Sequence, residues 1–423
     1  MVVIPEEEIH QNNGLEGESW DSPFLKGKIM LIKNIKIFTM NDNNDIIDNG
    51  YIVTEKEKIV DLGKMDELTE LTNDSIDMNG ASVYPGFIDA HTHLGVFGET
   101  SEESDGNEDS DPITPQLNVI DAINTNNPYF KKAIRAGVTT VLVSPGSTNP
   151  VGGQIAAIKT ASSSGVKRPR IDDLIIKSPA AIKFSLGENP KTTYSDKEQM
   201  PVTRMAVAAL IREILEKAKR YEKQLSQYQK EPDKYDEPEY DQKLESLLPL
   251  IKRQIPAHFH AHTADDIHTA LRLAREYNLR IIIVHGTEGY EICDSIKNEA
   301  EGVLSGPILT DVSKPELRNM SDSSAAIMSE YGIPTAIITD HPETPVNYLL
   351  ICAAAAVRAG MKRTDALRAV TVTPAKICGI SDRVGSIEKG KDADLVFYKG
   401  DALDIIETPQ YTMISGKLMK NGN

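Results

Sequence analysis

The sequence predicts an α/β protein, a (β/α)8 TIM-type barrel with a small β-sandwich domain formed by the N- and C-terminal segments. Three observations predict it. Short apolar or β-branched runs alternate with helical patterns through the centre of the chain. Strand-rich segments punctuated by turns lie at both ends. The chain has 9 histidines among 423 residues, and most fall at the ends of central strands, where barrel enzymes assemble their sites.

Taken in order, residues 1–27 are an acidic tail without the basic and apolar regions of a signal peptide. Residues 28–82 form the first part of the sandwich. There "KIMLIKNIKIFTM" (28–40) and "GYIVTEKEKIVDLG" (50–63) show period-two apolar character and are separated by an Asn/Asp-rich turn. Residues 83–380 hold the barrel, with strands expected at 82–93, 138–144, 154–159, 180–185, 257–262, 281–285, 303–306 and 335–340. Between the fifth and sixth, "TADDIHTALRLAREYN" places Thr263 as N-cap, aspartates in the first turn, and Ile267, Leu271 and Ala274 on one face. This alternation argues for parallel βα units.

Two stretches read as insertions. Residues 99–111, "ETSEESDGNEDSD", form a mobile loop, either a solvated surface segment or a lid. A helical insertion at about 186–255 carries a long charged helix, a Pro/Tyr/Asp-rich break and "LESLLPLIKRQ"; it would cover one barrel mouth or build an oligomer contact. Residues 381–423, with "GSIEKGKDADLVFYKG" and "TMISGKLMKNG", complete the sandwich.

The totals narrow the function. A net charge of −17, from 46 basic and 63 acidic residues, disfavours nucleic acid and anionic membrane as partners. No apolar run approaches the roughly 20 residues that span a bilayer. Cys293, Cys352 and Cys378 lie far apart, which suits a reducing compartment. A cytoplasmic protein acting on a small molecule, and forming a homo-oligomer, is expected.

The chemistry begins at "PGFIDAHTHLG" (85–95). Residues i and i+2 of a strand share a face, so His91 and His93 project side by side, with Asp89 one pleat below. "AHFHAH" puts His258, His260 and His262 on one strand face, "IIIVHG" ends in His285, and "TAIITDHP" ends in Asp340 and His341. Buried polar groups in apolar strands need partners, and a shared metal supplies one to all of them. Mixed nitrogen and oxygen ligation without cysteine favours Zn2+. The expected reaction is attack of metal-bound hydroxide on a carbonyl or amidine carbon, with Asp340 as general base and then acid to the leaving amine. Substrate contacts are expected from His262 and His341, from Asn149 and Gln154 in the loop "SPGSTNPVGGQ", and from Arg204 as a carboxylate clamp. His258 is expected as a hydrogen-bonded core histidine, and His10 and His268 at the surface.

The β-rich start, "PGFIDAHTHLG", the strand-end histidines, the "TD" of the last strand and "GSIEKGKDADLV" together resemble the amidohydrolase superfamily from about residue 28 onward. The nearest branch is the imidazolonepropionase-related and prolidase-like one. The resemblance implies that His91 and His93 are metal ligands on strand one, His285 on strand six and Asp340 on strand eight. "HAHT" implies His260 rather than His262 on strand five. It further implies that Lys183, in "AAIKFSLGENP", reacts with CO2 to give a carbamate bridging two metals, so that one or two ions are held per chain. Imidazolonepropionase itself holds one metal and uses no such lysine. The implied activity is hydrolysis of an amide or cyclic amide C–N bond in a small molecule or dipeptide. Two other readings are a deaminase of the same superfamily, for which Glu288 in "HGTEG" offers an acid, and a non-catalytic assembly protein that keeps the fold.

Overall fold

Alternating isoleucines and valines dictate the strands at both chain ends, while continuous apolar runs build those of the centre. A computed structural model describes residues 29–69, 74–98 and 104–421; the acidic tail lies outside the described residues, and so does His10. The strands are β1 (Ile29–Phe38), β2 (Ile46–Glu55), β3 (Lys58–Lys64), β4 (Ser75–Pro85), β5 (Phe87–Thr92), β6 (Val138–Val143), β7 (Val151–Lys159), β8 (Ile175–Ser185), β9 (Ala257–Ala261), β10 (Ile281–His285), β11 (Gly302–Ser305), β12 (Thr335–Ile337), β13 (Leu395–Tyr398), β14 (Tyr411–Ile414) and β15 (Lys417–Lys420).

The two ends of the chain meet where β13 pairs antiparallel with β4. They form one hydrogen-bonded seven-stranded sheet of order β15-β14-β13-β4-β1-β2-β3. Ile32, Ile35, Ile37, Val83, Leu395, Phe397 and Met413 give this sheet a core of its own. A buried ion cluster fastens it to the centre: Lys159 of β7 lies 3.0 Å from Asp392 and also pairs with Asp394, and Asp392 reaches Lys58 and Arg383, each at 2.8 Å. The acids of "KGKDADLV" are therefore spent on joining the two sheets.

The central strands form a nearly closed eight-stranded sheet, ordered β5 to β12. Past the end of β12, the His93 N–H donates to the His341 carbonyl (2.8 Å) and the Asp340 N–H to the His91 carbonyl (3.2 Å), which stitches the last strand to the first. The expectation of uniformly parallel units fails at β7, which runs antiparallel to both β6 and β8. Only residues 144–150 link β6 to β7. That is too short for a crossover, which takes a dozen or more residues, but enough for a reversal.

The first helix of the insertion, Glu188–Ser195, lines the cavity at one mouth, as expected, whereas its two longer helices pack on the barrel wall. Helix Arg204–Lys230, capped by Thr203, and helix Gln242–Ile251, capped by Asp241, bury Val207, Ile211, Leu215, Leu247 and Leu250 against the outer faces of β8 and β9. They are the crossover between those parallel strands. Helix Ala264–Tyr277 forms as expected, with the Thr263 hydroxyl accepting from the Asp266 N–H. The acidic loop is not loose where it is described. Asp109 pairs with Lys197 (2.7 Å), Asp111 with Lys243 (2.6 Å), and the Gly146 N–H donates to Gly106.

Candidate metal centre

Alternation along β9 sends Ala257, Phe259 and Ala261 outward into the helix-packed core and His258, His260 and His262 inward. His285 needs a different device. Ile281 and Ile283 pack outward, so strict alternation would turn His285 outward as well. Its backbone adopts φ +72°, a left-handed conformation rare for a residue with a Cβ, and the ring lines the cavity instead. Asp340 is likewise at φ +52°. Such strain costs on the order of 1–3 kcal/mol and clusters at functional sites.

Six side chains converge in two trios. Ligand atoms of His91, His93 and Asp340 lie within 4.8 Å of one another, and so do those of His260, His262 and His285. Asp340 Oδ1 stands 3.4 Å from Nε2 of both His91 and His93. The rings of His91 and His285 are 5.8 Å apart, which makes the two trios neighbours. His93 Nδ1 donates to the Ser144 carbonyl and His285 Nδ1 to the Gly306 carbonyl, both at 2.7 Å. A carbonyl only accepts, so Nδ1 carries the proton and Nε2 offers a lone pair. Burial holds His91, His260 and His262 well below the ordinary imidazole range and brings His285 to about 4, so all four are neutral at pH 7. Nε2 of His260, His262 and His285 and Oδ1 of Asp340 are buried without a hydrogen-bond partner. Neutral imidazoles and an ionised carboxylate with orphaned lone pairs are what a divalent cation requires, so the residues fit the metal.

Burial opposes ionisation of Asp340, but His285, His93 and Lys183 outweigh it and hold the carboxyl below its usual range. Lys183 is fully buried, its Nζ 3.3 Å from His91 Nε2, and desolvation lowers its pKa to about 8. It is the register partner of His258, and Gly152 makes room for it: a Cβ there would lie 3.2 Å from Lys183 Cγ. His93, His260, His262, His285 and Asp340 floor a cavity of about 550 Å³ walled by Phe97, Thr148, Thr193, Ile308, Leu317 and Met320.

Several sequence-predicted residues are not brought there. Asp89 turns away, its carboxylate accepting from the N–H and hydroxyl of Thr339, because the β5–β6 register shifts between Asp89 and Thr92. His341 packs its ring on Tyr129, centroids 4.5 Å apart. Asn149 spends its amide on Glu108, Thr114 and Tyr194, and Gln154 reaches only the Pro115 carbonyl. Arg204 pairs with Asp266 on the insertion's flank. Glu288 accepts from the Ala264 N–H with one carboxylate oxygen and from Asn319 with the other. His258 is buried with neither ring nitrogen hydrogen-bonded, contrary to expectation, and His268 is exposed as expected. Conversely, the mouth loop acts through residues the sequence did not single out. Ser144 holds His93, and Ser147 holds His260 Nδ1 at 3.1 Å. Glu316 and Lys314, beside His260 and His262, carry no motif at all.

No helix among the described residues is long and apolar enough to cross a membrane. A model of the amidohydrolase family matches residues 82–422. A solved amidohydrolase from Thermotoga maritima MSB8 is 38% identical, covers 92% of this chain and 99% of its own, and superposes with a TM-score of 0.86. The chain is also 25% identical over 386 residues to amidohydrolase tasK of Hapsidospora irregularis, covering 87% of itself but spanning 39% of that protein's length. It is 25% identical over 418 residues to an imidazolonepropionase of Fusobacterium nucleatum subsp. nucleatum, covering 89% of itself and 92% of that protein. Strands, ligand trios and sequence likeness thus agree, and the chain belongs to the amidohydrolase family, whose members hydrolyse carbon–nitrogen bonds.

Proposed function

We propose that this chain hydrolyses a C–N bond in a small amide, cyclic amide or dipeptide, using divalent metal, Zn2+ by its ligand chemistry, held by His91, His93 and Asp340 and by His260, His262 and His285. The observation that carries this reading is the pair of adjacent ligand trios at the floor of one cavity. Bound there, a divalent cation acts as a Lewis acid that polarises a carbonyl and lowers the pKa of water towards neutrality.

The chain's own residues do the rest. Asp340, ionised and facing the cavity, takes the proton from the attacking water and returns it to the leaving nitrogen. Phe97, Leu317 and Met320 narrow the water around the scissile bond, and a volume of about 550 Å³ suits a small substrate. Lys183, its pKa lowered to about 8 by burial, has more free amine at neutral pH than a solvated lysine. The ammonium first gives up one proton to solvent; the free amine nitrogen then bonds to the carbon of CO2 and releases a second proton, which converts a costly buried cation into an anionic ligand beside His91.

The test is metal content per chain, with and without Lys183→Ala, combined with a screen of N-acyl amino acids, dipeptides and cyclic ureides. Two equivalents reduced by the substitution, and turnover of one substrate class, are expected. Metal content indifferent to Lys183→Ala removes the carbamate. No turnover of any amide by the metal-loaded protein removes the hydrolase.

A further inference from the structure

Glu316 lies in the loop after β11, where nothing in "SKPELRN" suggests a function, yet its side chain is only 1% exposed. An ionised carboxylate buried this deeply needs partners. Oε2 accepts from the Glu188 N–H at 2.9 Å, and Oε1 meets the Lys314 ammonium at 2.6 Å. Apart from that ion pair, Oε1 has no hydrogen-bond partner. It stands 3.7 Å from His262 Nε2 and 4.0 Å from His260 Nε2. Both gaps are too long for hydrogen bonds.

The two rings are already held from their other side, His262 Nδ1 by the Thr287 hydroxyl at 2.7 Å and His260 Nδ1 by Ser147. Their Nε2 atoms are buried and unpartnered. One oxygen and two nitrogens thus face a common point without bonding to one another. Ligands of one cation are spaced in this way: bonds of about 2.1 Å in a tetrahedron set neighbouring ligand atoms about 3.4 Å apart.

We propose that Glu316 is a metal ligand, completing with His260 and His262 the second cation position. This deepens the metal-centre reading and rests on it. A trio of neutral imidazoles brings no anion to a divalent charge; Glu316 brings one, and Lys314 offsets part of it when the position is empty. The second cation then has a protein carboxylate whether or not Lys183 is carboxylated. Glu316 Oε2, through Glu188, also ties the loop after β11 to helix Glu188–Ser195, which lines the same cavity.

The experiment titrates the chelated full chain with Co2+ and Zn2+, reading stoichiometry by elemental analysis and ligand field by Co2+ absorption. Glu316→Gln is expected to weaken one equivalent at least about tenfold and alter its Co2+ spectrum, and to spare the equivalent held by His91, His93 and Asp340. His262→Gln should do the same, and Glu316→Asp should restore part of the affinity. Two equivalents bound by Glu316→Gln with wild-type affinity and spectrum would overturn the proposal. So would equal weakening of both equivalents with no rescue by Glu316→Asp, the pattern of a merely structural residue. A wild-type chain that binds no metal would instead overturn the reading beneath it.

Discussion

Replacing Asp340 with Asn removes the proton acceptor with the least disturbance of the fold, because the backbone at this position tolerates little else. Asp340 sits at φ +52°, a region in which Asn is as comfortable as Asp, whereas Ala would add strain. The amide keeps the carboxylate's shape and removes its charge and basicity. A positioned acid–base group is worth about 10²–10⁴ in rate. At about 1.36 kcal/mol per tenfold, that is about 2.7–5.5 kcal/mol of transition-state stabilisation. The buried setting, with Oδ1 3.4 Å from two imidazoles, adds weakened metal retention to the lost base, so the upper end is expected. The assay is kcat/KM on the best substrate of the amide screen, with metal content and thermal midpoint measured on the same sample. Unfolding entropy of about 2.1 cal/mol/K per residue makes a chain of 423 residues lose only about 1 °C per kcal/mol, so the midpoint should barely move. A kcat/KM within tenfold of wild type, in protein carrying its full metal complement, would refute the role given to Asp340.

Other consequences concern stability. Lys159→Met leaves Asp394 and, in part, Asp392 buried without their cation; it should cost about 3–5 kcal/mol, or about 3–6 °C in midpoint, and a change under 1 °C would show that the ion cluster does not fasten the two sheets. Metal-free protein should lose stability as pH falls from about 6.5 to about 4. His285 at about 4, His341 at about 4 and His258 at about 3 are all lowered by burial, so between those values and 6.5 the unfolded chain binds more protons than the folded one. Urea unfolding at pH 7.5 and 5 reads this directly, and a midpoint higher at pH 5 would contradict it.

Much of the centre was legible because its signals are local. His258, His260 and His262 share a face through period-two geometry alone. Thr263 caps its helix with an oxygen three residues from the N–H it accepts, and "HTH" delivers two imidazoles within one strand end. The reversal of β7 was legible in principle, since seven residues cannot hold a crossover helix. Other features were not readable in this way. His285 faces the cavity against its strand parity, and Asp89 leaves it because of a register shift; both depend on how neighbouring strands align. Asn149 and Gln154 looked available in a loop rich in turn residues, but their amides were already committed to groups 35–45 positions away.

By itself, the sequence determined the strand and helix order, the family, and four of the strand ends that bring candidate ligands, since strand-end histidines and an aspartate in apolar runs have few other ways to be satisfied. Only the tertiary structure decided that His262 stands beside His260 and His285, that Arg204 and His341 stand elsewhere, and that Glu316 faces the imidazoles. The physical reason is range. Periodicity and capping act over a few residues, whereas Glu316 meets His260 and His262 across more than fifty residues of chain, a distance that closing the barrel alone removes.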